Sequence, residues 1–136
     1  MAEVIGRIAL AVVSLAVVAA LAVQLRAHDL LANAAAVALE PHPSRAAVDR
    51  QLHDVKTVSD LRPGSQGFLA TAALDLRTGR YAAASRAAID ATGREPRNFS
   101  AWVTLAVARA DVGDKTGSQL AYAKAHLLNP LYPIPR

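Results

Sequence analysis

The chain has 136 residues and no cysteine, so disulfides and thiolate metal sites are excluded. Its formal charge is +4, but the basic residues are scattered among acids rather than gathered in a stripe with aromatic platforms, which argues against a nucleic-acid protein. Once an apolar N-terminus is set aside, what remains is the size of one small domain with a modest core.

No residue from Ile8 to Leu25 is charged, and Arg7 and Arg26 bracket the run. A helix of that length spans about 27 Å, close to the ~30 Å of a hydrocarbon core, and both arginines can snorkel outward. Residues 1–25 therefore read as a membrane anchor with a single transmembrane helix over about 8–25. Two alternatives stay open. Ala20-Leu21-Ala22 fits a signal-peptide cleavage pattern, although the run is long for one. A buried core helix is the other, but a domain this small could hardly surround it. The flanking charges barely fix the orientation. A short tail before a first apolar helix usually stays in the cytoplasm, which places the rest of the chain on the extracytoplasmic side of the cytoplasmic membrane. Ala16 and Ala20 form a small-xxx-small pair that permits close packing with another membrane helix.

Residues 26–63 predict a helical hairpin. Leu30, Leu31, Ala34, Ala35, Ala38 and Leu39 recur at three- and four-residue steps until Pro41-His42-Pro43 breaks the pattern. Ser44 is placed to cap a second helix with the stripe Val48, Leu52, Val55, Val58 and Leu61. Pro63-Gly64 ends it, and Ser65 is placed to cap the next. The membrane helix is expected to run into this hairpin with little linker.

Residues 64–130 carry an internal repeat. Phe68 recurs as Trp102, Gly79 as Gly113 and Pro96 as Pro130, each pair 34 residues apart. Such a period belongs to two-helix units that stack into solenoids. Glycine opens the inter-helix turn, proline ends the second helix, and small residues at Ala84, Ala91, Ser118 and Ala125 let antiparallel helices approach. Phe68, Trp102 and Tyr122 are expected to fill the wedge between helices.

This stretch resembles the tetratricopeptide repeat (TPR) family. In the second copy Trp102, Leu105 and Ala106 match helix A, Gly113-Asp114 the turn, Ser118, Tyr122 and Ala125 helix B, and Pro130 the close. In the first copy Phe68, Ala72, Gly79, Tyr81, Ala84, Ala88, Ala91 and Pro96 match, while Thr71 departs from the usual Leu. Asp75 and Arg109 stand where the family often has Tyr. With the hairpin before them, the repeats predict an all-α fold: a single N-terminal transmembrane helix followed by a short TPR-like α-solenoid of about three helical hairpins. The Pro-rich tail, 131–136, holds Leu131, Tyr132 and Ile134, which are too apolar for a free end and are expected to cover the last helix, the alternative being that they dock elsewhere.

Nothing in the sequence suggests chemistry. His28, His42, His53 and His126 do not share a metal-binding spacing, and no phosphate loop, nucleophile elbow or carboxylate pair is present. No catalytic residue, metal, cofactor or small-molecule substrate is expected. The resemblance implies instead a protein-binding groove on the A helices. Its positions fall on Gln66, Leu69, Ala73, Leu76 and Arg77, and on Ser100, Val103, Val107, Ala110 and Asp111. These residues are mostly small and aliphatic, which suits an amphipathic helix or an apolar extended segment; the alternative is that the first helix or the tail already fills the groove and the contact lies elsewhere. The Lys and Asn that hold acidic chaperone tails in some TPR domains are replaced by Leu69 and Ala73. The expected role is an adaptor or scaffold positioning a protein partner, an integral membrane protein among the candidates, at a bacterial membrane. By analogy it would be accessory to envelope machinery such as glycan polymerisation. The alternative is a structural subunit of a larger membrane enzyme, held through the transmembrane helix.

Overall fold

The computed structural model describes residues 2–41, 43–61 and 64–133, with side chains described from residue 16 onward, residues 60 and 61 apart. His42 and Pro63 in the predicted breaks, and Ile134 in the tail, lie outside the described residues. The described residues form six helices and no strand: α1 (Ala2–Leu39), α2 (Arg45–Leu61), α3 (Gln66–Arg77), α4 (Tyr81–Arg94), α5 (Phe99–Asp111) and α6 (Lys115–Leu128). Local chemistry sets their ends. Ser44 Oγ accepts from Ala47 N at 3.2 Å at the start of α2, and Asp114 Oδ1 accepts from Gly117 N at 2.8 Å at the start of α6. Gly79 and Gly113 turn the chain between paired helices with φ of 71° and 89°, a region closed to most side chains.

The helices pair as three antiparallel hairpins, α1–α2, α3–α4 and α5–α6. Each hairpin meets the next through α2 on α3 and α4 on α5. The first helices also touch in series, α1 on α3 and α3 on α5, whereas among the described residues α2, α4 and α6 do not touch one another. This is the packing of a helical repeat, with one face built by the first helices. Two apolar clusters hold it together. Ala34, Val48, Val55 and Leu74 join α1, α2 and α3. Ala72, Ala87, Ala88, Leu105, Ala106 and Ala121 join α3 to α6, with Trp102 and Tyr122 packed against them. Alanine dominates the second cluster, so the helix backbones lie close. Leu74, fully buried, contributes about 2 kcal/mol through its removal from water. Phe68 differs from the expected wedge role: it is half-buried, outside both clusters, and its ring lies 5.2 Å beneath the Arg94 guanidinium.

α1 is continuous but has two characters. Ala27, Leu30, Leu31, Ala34, Val37 and Ala38 turn inward at helical spacing, with Ala27 and Ala34 fully buried. Every residue from 16 to 26 is exposed, including Val17, Val18, Leu21 and Leu25. Among the described residues no helix is long and apolar enough to cross a membrane. The side chains of residues 8–15, nearly half of the predicted span, lie outside the described residues.

Candidate partner-binding cleft

The face built by α1, α3 and α5 holds an open cleft of about 410 Å³. Its walls are Leu31, Ala34, Ala35 and Ala38 from α1, Gln66, Leu69, Ala70 and Ala73 from α3, and Ser100 and Thr104 from α5. The Thr104 hydroxyl is spent inside its own helix, donating to Ser100 O at 2.8 Å. Among the described residues, Gln66 and the Ser100 hydroxyl are the polar groups left to face an occupant, and no charged side chain lines the cleft. Such a surface can bury an apolar strip and orient it weakly.

Of the groove positions expected from the repeat pattern, Gln66, Leu69, Ala73 and Ser100 come together here. Leu76, Val103 and Val107 are half-buried and do not line it. Arg77 has a structural task instead: its Nη2 donates to Glu40 O and to Pro41 O at 3.1 Å, tying the end of α3 to the end of α1. Ala110 and Asp111 are exposed at the end of α5, outside the cleft. The Tyr122 phenol is pushed above its ordinary range, first by burial and then by the nearby Tyr132 and Asp111. The α1 wall was missed because the sequence reading carried groove positions over only from the two clear repeats. The signal was present in the Leu31, Ala35, Ala38 spacing.

A second cleft, of about 440 Å³, opens on the other side of α3, between α2 and α4. Lys56, Arg86, Asp90 and Arg94 stand around it, and Asp75 and Phe68 reach it from α3. Asp75 is 5% exposed. Burial pushes its carboxyl above the ordinary range, against the pull of Arg80, whose Nε lies 2.8 Å from Asp75 Oδ1. Arg80 Nη1 also donates to Asp49 Oδ1 at 2.9 Å, so three helical segments share one cation.

The loops at one end of the solenoid are stitched together. Glu95 accepts from Ser65 N at 2.9 Å, Ser65 Oγ at 2.7 Å and Asn98 Nδ2 at 2.9 Å, which holds its carboxyl below the ordinary range. Ser65 therefore does not cap α3 with its side chain, as the sequence suggested; it donates across to the next hairpin. Trp102 Nε1 donates to Pro96 O at 2.8 Å, and the rings of Phe99 and Tyr132 meet edge to face at 4.9 Å. Tyr132 thus covers the start of α5, while Leu131, expected to cover the last helix, is 94% exposed.

Among the described residues, no three metal-ligating side chains come together. A scan of family models and a search of curated proteins found no match to this chain.

Proposed function

We propose that the chain is a membrane-anchored, TPR-like interaction module that positions a protein partner at the bilayer surface. The observation that carries this reading is the exposed half of α1. An apolar helix that is exposed on every face from residue 16 to residue 26, and uninterrupted with a packed half, needs an apolar solvent or partner. Residues 8–25 supply the anchor, and the solenoid stands on the extracytoplasmic side. The cleft between α1, α3 and α5 takes an apolar or amphipathic segment of the partner, because its described walls are mostly aliphatic and carry no charge. Binding and geometry are the whole mechanism.

The test is purification of the tagged chain from native membranes in mild detergent, beside a variant carrying Ala35→Glu and Leu69→Glu. Both positions line the cleft. A partner lost with the variant supports the adaptor reading. A polytopic partner that survives it moves the interface to the exposed apolar face of Val17, Val18, Leu21 and Leu25, and favours a structural subunit of a larger membrane complex. A chain that leaves the membrane fraction under an alkaline wash overturns the anchor.

A further inference from the structure

The anchored half of α1 and the packed half meet without a spacer. Arg26 ends the exposed apolar stretch, and Ala27 is already fully buried in the bundle. Whatever part of the solenoid lies level with Arg26 must therefore lie level with the membrane interface. The contacts identify that part. α1 and α3 run in the same direction: Arg77 at the end of α3 bonds to Glu40 and Pro41 just past the end of α1, while Gln66 at the start of α3 shares the cleft with Leu31. The starts of the first helices thus stand beside the point where α1 leaves. The second helices run back, so their ends arrive at the same level, where hydrogen bonds join Ser65, Glu95 and Asn98 and the Phe99 ring meets Tyr132.

We infer that this stitched end rests on the lipid surface, with Leu127 and Leu131 entering the headgroup–acyl boundary and Arg97 lying among the phosphates. The inference rests on the anchor reading above. Leu127, in the last turn of α6, is 74% exposed, and Leu131, in the loop that follows it at this end, is 94% exposed. Exposure alone does not single them out, because Leu39 and Val112 are also exposed at the opposite end. Position does. The opposite end is a helix length away, about 18 Å for the 12 residues of α3, and cannot reach the bilayer while α1 stays continuous. Large apolar side chains at the same end as an exposed arginine, Arg97 in the α4–α5 loop, are the composition that an interfacial contact requires. Glu95 and Asp29, acids of this end among the described side chains, do not oppose it strongly. Glu95 is engaged by three donors, and Asp29 stands one turn from Arg26. The contact would fix the tilt of the solenoid and so the direction in which its cleft opens.

The cysteine-free chain allows a direct test. Single variants Val18→Cys, Leu131→Cys and Val112→Cys, all exposed positions, are labelled with an environment-sensitive fluorophore. The full chain is reconstituted in vesicles of phosphatidylcholine and phosphatidylglycerol, with and without brominated acyl chains. Circular dichroism confirms that each variant is folded. The expected result is blue-shifted emission, quenched by the brominated lipid, at residues 18 and 131, and neither effect at residue 112. Shift and quenching at 18 with residue 131 behaving like 112 overturns the inference and leaves the anchor standing. Absence of both at residue 18 overturns the anchor and the inference with it. A shift at 131 without lipid quenching means that protein covers Leu131, and also overturns it.

Discussion

Glu95 and Asp75 are both carboxylates with cationic or donor neighbours, yet their environments push them in opposite directions. Glu95 is held down by three donors, and Asp75 is lifted by burial. The signs of the linkage follow. A lowered folded-state pKa gives Glu95 a stabilising contribution that is present above its ordinary 4.5 and lost as the pH falls through the folded value. A raised one means that Asp75 favours the fold most below its ordinary 3.8 and that this contribution is lost as the pH rises through the folded value. Denaturant unfolding across the acid range should therefore show Glu95→Gln removing part of the acid-side loss of stability. Asp75→Asn should steepen that loss. At neutral pH Glu95→Ala is expected to cost about 2 kcal/mol, since buried donors on Ser65 lose a charged acceptor. The Asp75–Arg80 pair also has a counterpart that the sequence held unread. Arg109 and Asp114 stand 34 residues further on with the charges exchanged, Arg109 Nε lying 3.8 Å from Asp114 Oδ2. Asp75 and Arg109 looked like losses from the repeat pattern; each instead clasps the turn that follows its helix. Reading the positions as pairs, five residues apart, would have found this.

The helices were legible because proline and glycine punctuate them. Pro41 and Pro43, Gly79, Pro96, Gly113 and Pro130 all fall between elements. What the pattern could not carry was contact across elements, as at Ser65 and Leu131. Gly67 is the sharpest case. It sits in the first turn of α3, with no turn to explain it, and a Cβ there would come 2.2 Å from Ser59 Oγ and 3.2 Å from Ser59 Cα. The glycine is a groove for α2, not a hinge. Gly93, in the last turn of α4, meets nothing within 4 Å. The same substitution should therefore act with opposite sign at the two sites. Gly67→Ala is expected to cost about 2 kcal/mol through overpacking, partly recovered by Ser59→Ala. Gly93→Ala is expected to stabilise by about 0.5 kcal/mol through helix propensity. Chemical denaturation of the three variants decides it; equal effects at both glycines would mean that α2 and α3 do not approach closely at Ser59.

At the scale of the molecule, α1 links two halves with different requirements. Residues 16–26 are all exposed, whereas the next turns build the Ala34, Val48, Val55 and Leu74 core and one wall of the cleft. Two truncations separate these roles. Removal of residues 1–26 should leave a bundle with an unchanged denaturation midpoint, because no packed side chain among the described residues is lost. Removal of residues 1–43 strips the first hairpin of its partner. It uncovers Val48, Val55 and Leu74, each fully buried in the intact chain, at a cost of several kcal/mol on their apolar area alone. A repeat array needs a cap at each end, and α2 without α1 presents its apolar stripe to water. The shorter truncation should therefore be monomeric and cooperative in thermal melts, and the longer one should lose cooperativity or self-associate. If the 1–26 deletion also melted early, the exposed half of α1 would have to pack on the solenoid. The continuity of the helix would then serve the core rather than the placement of the cleft at a membrane.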